Sequence, residues 1–248
     1  MPLRSLALLP VFINGNYDRI CREYEGAAIK KKAPKRAACK TDIILVDIIN
    51  FSQLDAREQL EIITFLTSSY SKMVKTLLAN SQMQPSHMML GFISTGDGFY
   101  CILNPRLKGY GAILGLSFNH FSDYIAQKYP YFRGIRVAVH TGEIYEFEDI
   151  LGNRNYVGDG LNECARYIEL KDYTISTVII SETAYDSFRK FLKRYPDFQA
   201  LLIEHQFKRS GQYSFYDKHG TLHHGYLIWL RRGGIINPPN INFNSLMK

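Results

Sequence analysis

Two apolar runs in this chain end beside an aspartate, and that arrangement limits the fold more than any other feature. Ile43-Ile44-Leu45-Val46 is closed by Asp47. Leu90-Gly91-Phe92-Ile93 and Phe99-Tyr100-Cys101-Ile102-Leu103 flank Ser94-Thr95-Gly96-Asp97-Gly98. A short run of this kind reads as a buried strand, and Gly-Asp-Gly between two such runs reads as a hairpin tip. Side by side, these strands would project both carboxylates from one edge of a sheet. Paired acidic oxygens are how proteins hold magnesium or manganese on a polyphosphate. Either aspartate alone would be an ordinary turn residue or helix cap; the argument for chemistry rests on the pair.

Along the chain, residues 1–40 read as an N-terminal arm: a short apolar piece, a short helix near 17–25, and a basic linker. Residues 41–232 read as one compact domain and 233–248, with Pro238-Pro239, as an irregular tail. A strand is expected over 42–48, then a helix capped by Ser52 with Leu54, Leu60, Ile63, Leu66, Val74 and Leu77 as its apolar stripe. A second helix is expected over 111–128, closed by Pro130. Arg136-Val137-Ala138-Val139-His140-Thr141-Gly142 alternates like a strand ending at a glycine turn, with 144–147 pairing back. A polar loop at 149–155 leads into a helix carrying Asn162 and Arg166. A strand at 177–180, a helix capped by Ser181 and late strands at 213–216 and 225–230 complete the domain. Helices alternate with strands while hairpins interrupt them, which predicts an α/β (α+β) fold with a mixed sheet.

The net charge is +7, suited to an anionic partner, and much of the excess lies in Lys30-Lys31-Lys32-Ala33-Pro34-Lys35-Arg36. That run reads as a solvated linker. No helix-turn-helix, zinc finger or aromatic single-strand platform accompanies it, so nucleic acid is not an expected partner. No apolar stretch is long enough to cross a bilayer. Cys21, Cys39, Cys101 and Cys164 lack the close spacing of a zinc site and read as buried thiols of a cytoplasmic protein.

Four segments together resemble a known family. Val46-Asp47-Ile48-Ile49-Asn50-Phe51-Ser52 resembles the first metal motif of class III nucleotidyl cyclases, and Thr95-Gly96-Asp97-Gly98-Phe99 the second. Arg136 to Gly142 resembles the strand that follows. Tyr156-Val157-Gly158-Asp159-Gly160-Leu161-Asn162-Glu163-Cys164-Ala165-Arg166 resembles the transition-state helix of the family. The order is right, over about residues 41–230. The resemblance implies a ferredoxin-like βαββαβ palm-type sheet with flanking helices. It also implies attack of a ribose 3′-hydroxyl on the α-phosphate, with diphosphate leaving.

By the same resemblance, Asp47, Ile48 and Asp97 serve two divalent cations, Mn²⁺ or Mg²⁺. The backbone from Ile48 to Ser52 (Ile49, Asn50 and Phe51 between them) meets the β- and γ-phosphates. Asn162 orients the ribose, and Arg166, four residues on and on the same helix face, meets charge on the α-phosphate. Lys208 and Lys218 are both candidates for the terminal phosphates, with Lys218 preferred. His140 is read as structural. The family's base-reading positions fall on Ile93 and Asn155, where neither the adenine nor the guanine code is present. Asn155 can donate and accept, as a pyrimidine edge requires.

This departure resembles the bacterial pyrimidine cyclases of Pycsar-type anti-phage defence, and implies UTP as substrate and cyclic UMP as a messenger acting on a separate effector. A cytidylate cyclase, a purine cyclase with a divergent base pocket and a non-catalytic nucleotide sensor are the alternatives. In the family the two aspartates and the Asn/Arg helix at one substrate come from different subunits. A chain with both sets is thus expected to form a homodimer with shared active sites.

Overall fold

A computed structural model describes residues 38–78, 84–170 and 177–231. The expectations for the arm up to residue 37 and for the tail beyond 231 lie outside these residues. The element order begins β1 (Cys39–Ile48), α1 (Ala56–Leu78), α2 (Pro85–Met88), β2 (Met89–Ser94), β3 (Gly98–Leu103), α3 (Gly111–Lys128) and β4 (Ile135–Glu148). It continues with β5 (Arg154–Val157), α4 (Asp159–Ile168), β6 (Val178–Ser181), α5 (Glu182–Arg194) and α6 (Pro196–Glu204). The chain then forms β7 (Phe207–Arg209), β8 (Tyr213–Tyr216) and β9 (Leu222–Leu230).

The sheet order is β2-β3-β1-β4-β6-β9-β7, with β5 paired to β4 and β8 to β9. Its first four strands, with α1 and α3 as crossovers, are the expected βαββαβ unit. β1 lies between β3 and β4 and is antiparallel to both, whereas β4 and β6 are parallel. The sheet is therefore mixed, as the alternation of hairpins and helices predicts.

Strand periodicity sorts the core into two layers. Ile44, Val46 and Ile48 of β1 join Val137, Val139, Val178 and Ile180 under α1, α3 and α5. Ile43 and Leu45 point the other way, with Ala138, Ile179 and Leu227, against Cys164, Tyr167 and Ile168 of α4. Full burial of each such side chain contributes about 1.5–3 kcal/mol. Asp47 has the parity of Ile43 and Leu45, so it emerges on the α4 face at the strand end. Asp42, at the other end of β1, is a structural clasp. Its Oδ2 accepts the amides of Gly109 (2.6 Å) and Gly111 (3.0 Å), and its Oδ1 accepts the Thr141 hydroxyl (2.6 Å).

Several local expectations are corrected. Ser52 does not cap α1; it lies in a 3-10 turn, Phe51–Gln53, entered through Asn50 at φ 58°. Asp55 caps the helix instead, accepting the amides of Arg57 and Glu58 at 2.8 Å, while Glu58 returns a carboxylate to the Asp55 amide. Of the expected stripe, Leu66 and Val74 are buried and Leu54 and Ile63 pack against the core, with Ile62, Tyr70 and Met73 beside them, while Leu60 is 64% exposed. Gly142 makes no turn. β4 runs straight through it, and a Cβ there would lie 2.5 Å from the Gly160 Cα, so glycine serves the close approach of α4. β5, rather than 144–147, pairs back on β4. The helix over 111–128 falls where the sequence places it. Cys101 and Cys164 are buried free thiols and Cys39 a half-buried one; burial pushes the Cys101 thiol up to about 12. No helix among the described residues is long and apolar enough to cross a membrane.

Candidate active site

The two aspartates meet. Asp47 of β1 lies opposite Gly98 of β3, and the Ile48 amide donates to the Asp97 carbonyl at 2.8 Å. The β2–β3 turn closes with the Thr95 amide on the Gly98 carbonyl (3.0 Å). Gly96 occupies its first central position at φ 93°, a conformation that strains L-residues. Gly98 is needed for contact: a Cβ there would run into the Val46 carbonyl. The tip thus delivers Asp97, exposed and with its Oδ1 accepting from the Thr95 hydroxyl (3.3 Å), to the end of β1.

Asp47 is more enclosed. Burial raises its carboxyl above the ordinary value; Arg136 pulls it back, and the Asp97 charge adds to the rise. Arg136 sits opposite Asp47 on β4, and its Nε donates to Asp47 Oδ2 at 2.7 Å. Its Nη1 reaches the Ile168 carbonyl at the end of α4, at 3.5 Å. Arg136 lies in a motif segment that implies no role for it. Its position four residues before His140 carries no signal of that role; the cross-strand register does.

Among the described residues no group of three or more His, Cys, Asp or Glu side chains converges for a metal. Two adjacent carboxylates nonetheless fit a cation that takes its other ligands from phosphates and water, as magnesium does. Their mutual repulsion is what a divalent ion would relieve. The Ile48 side chain is buried in the core, so its carbonyl is all it can offer as a ligand.

The phosphate-binding stretch needs revision. The Ile48 amide is taken by Asp97, and the Ile49 amide donates to the Gly134 carbonyl at 3.0 Å, so neither can meet a phosphate. Phe51 and Ser52 open the 3-10 turn, where amides have no carbonyl a turn earlier to donate to. With the Asn50 amide they are what that stretch has to offer.

The second group of residues lies elsewhere in the chain. Asn162 is exposed on α4. Arg166, one turn on, donates through Nε to Asp217 Oδ2 at 3.2 Å, and Asp217 belongs to the β8–β9 turn. In the sheet, β4 and β6 separate β9 from β1. Lys218 pairs at 3.8 Å with Glu169, both side chains well exposed, a contact of small energy. Lys208 lies on β7.

Ile93 lies on β2, packed on the α4-side core, and Asn155 on β5. Tyr156 holds the two strands together: its hydroxyl donates to the Leu90 carbonyl at 2.9 Å, and its ring fills the space where Gly91 lacks a side chain. Asn155 Oδ1 accepts the next amide, Tyr156, at 2.8 Å, which leaves its NH₂ group to donate. His140 is buried, its Nδ1 3.0 Å from Ser181 Oγ, and burial lowers it to about 4, consistent with a structural neutral imidazole.

No protein-family profile matches the sequence, and neither does any curated protein. Solved structures do match. The guanylate cyclase domain of RhGC from Catenaria anguillulae, in complex with GTP, superposes with a TM-score of 0.51 at 15% identity, over 78% of this chain and 98% of that one. The catalytic core of a rhodopsin-guanylyl cyclase with converted specificity, in complex with ATPαS, gives 0.53 at 14%, over 78% and 97%. A bacterial light-regulated adenylyl cyclase gives 0.50 at 12%, over 85% and 97%. The fold is that of class III cyclase catalytic domains. Within that fold, the two aspartates occupy adjoining strand ends, and the helix carrying Asn162 and Arg166 packs across β1 and β4 on the face where Asp47 emerges.

Proposed function

We propose that the chain is a metal-dependent nucleotide cyclase that converts a nucleoside triphosphate to a 3′,5′-cyclic monophosphate and diphosphate. The observation that carries this reading is the meeting of Asp47 and Asp97 at the ends of β1 and β3, in a chain with the cyclase fold. Divalent cations bound there supply Lewis acidity to the attacking hydroxyl and to the leaving phosphates. The chain's own residues do the rest. Asp47, Asp97 and the Ile48 carbonyl hold the cations. The amides of Asn50, Phe51 and Ser52 meet terminal phosphate oxygens. Arg136, paired with Asp47 on the neighbouring strand, adds a cationic fork beside the carboxylates that would suit the departing diphosphate. Asn162 holds the ribose, and Arg166 faces the charge that builds on the α-phosphate.

Two copies build each site. Arg166 is held on the β9 side of its own chain, two strands away from Asp47, which supports a partner's helix as the one that completes the cleft. The β4–β5 ribbon offers a surface for that partner. Tyr145, Phe147 and Val157 are exposed on one of its faces, and Ile150 and Leu151 at its tip.

UTP is the proposed substrate, and cyclic UMP a messenger of anti-phage defence acting on a separate effector. Ile93 and Asn155 support this: an apolar residue packs a small base, and the Asn155 NH₂ group can donate to a pyrimidine edge. Incubation with each of the four triphosphates and Mn²⁺ tests both levels. Cyclic UMP as main product is expected. A dominant purine product overturns the base assignment, and no cyclic product from any triphosphate overturns the cyclase.

A further inference from the structure

The Asp217 carboxylate is built into its turn with unusual care. Its Oδ1 accepts the amides of His219 (2.8 Å) and Thr221 (2.9 Å), and its own amide donates to the Thr221 carbonyl (3.0 Å). Its Oδ2 is thereby fixed in direction, and meets Arg166 Nε and His223 Nε2, each at 3.2 Å. His223 is held in turn, its Nδ1 3.2 Å from Glu163 Oε2 on α4 and its ring stacked on Phe215. The Asp217 side chain is only 3% exposed, that of Arg166 22%. Burial works against the charge on Asp217, but the two amides, His223 and Arg166 hold it down at about 2, so it stays ionised.

Docking of the hairpin does not need this ion pair. Tyr167 already fastens α4 to β9, its hydroxyl donating to the His224 carbonyl at 3.0 Å and its ring edge-on to Phe215. An enclosed carboxylate is a costly way to add a further fastening, since desolvation takes back most of the Coulomb gain. Its return is direction. Contact through Nε leaves the Nη groups of Arg166 for another acceptor, on a helix face that Asn162 shares.

We propose that Asp217 is a positioning residue: it grips Arg166 by Nε and aims the rest of the guanidinium fork at the α-phosphate, with His223 and Glu163 bracing the grip. The inference rests on the cyclase reading above, and deepens it by assigning roles to Asp217 and His223, which lie in no recognised motif, and to Glu163, a residue of the helix motif with no role of its own.

The test is steady-state turnover of the full chain carrying Asp217→Asn. The kcat is expected to fall about 10- to 100-fold, as when a supporting partner of an active-site group is lost, with KM for the triphosphate within about twofold. The double variant with Arg166→Ala should be no slower than Arg166→Ala alone, because both changes remove one unit. His223→Gln, which leaves the turn intact, should give a smaller loss in kcat, so the inference stays testable even if Asp217→Asn folds poorly. Unchanged kcat in both single variants, or a double variant slower than Arg166→Ala by the full Asp217 factor, overturns the positioning role and leaves the cyclase standing. A wild-type chain inactive on every triphosphate overturns the cyclase instead. Positioning is then read from the Arg166 Nε–H resonance, which must move in Asp217→Asn; a resonance that stays put refutes the grip.

Discussion

The two halves of the site are built by opposite means. Asp47 and Asp97 stand at strand ends where backbone pairing alone brings them together: one hairpin turn and one register decide the matter. Arg166 is a long side chain on a helix, and its direction depends on Asp217, about fifty residues later, and through it on His223. The first half is stiff because the sheet is stiff. The second is stiff only while a small ionic network holds. Groups that bind metal need fixed oxygens and little else, whereas a donor fork that must meet charge at one moment in a reaction needs aiming.

The largest expected effect lies in the strand half. Asp97 is exposed and, among the described residues, its carboxylate accepts one side-chain hydrogen bond, so Asp97→Ala should leave the melting temperature unchanged while cyclic nucleotide production falls about 10³-fold. Activity near wild type would remove the metal role and with it the contrast between halves. Asn162→Ala on the helix half should cost about 10²-fold in kcat, again without loss of stability, since the side chain is exposed.

Gly142→Ala tests where the halves join. Its new Cβ would press on Gly160 and on the His140 ring, lifting α4 from β4. Destabilisation of about 1–3 kcal/mol in urea unfolding is expected. Wild-type stability would mean that α4 sits more loosely than the contrast requires. The smallest effect concerns His140. Its folded value of about 4 lies below the ordinary 6.5, so the unfolded chain takes up the proton first and stability falls as pH drops from about 6.5 toward 4. His140→Gln should flatten that limb of a stability–pH curve. An unaltered limb would place the acid sensitivity elsewhere.

The same division governs what could be read in the sequence. The strand half was legible because its signals are local: apolar runs and a Gly-Asp-Gly tip. The helix over 111–128 was legible too, closed by Pro130 and apolar nearly all round. Gly142 misled because a glycine after a strand suggests a turn, while the reason for it here, the Cα of Gly160, is remote in sequence. Ser52 misled because Asp55, the stronger cap, comes one turn later, and the 3-10 turn before it has no clear pattern. Arg136 was visible as a motif residue, but its partner is fixed only by β1–β4 pairing. Asp217 and His223 had no signal at all: an Asp-Lys-His-Gly turn followed by an alternating strand looks like any surface hairpin.

On the proposed mechanism, one cleft takes Asp97 from one copy and Arg166 from another. Mixing Asp97→Ala chains with Arg166→Ala chains, each inactive alone, measures it. Statistical mixing makes half of the dimers mixed, each with one complete site, so about a quarter of wild-type turnover is expected. A mixture as inactive as its two parents, with subunit exchange confirmed, would contradict it.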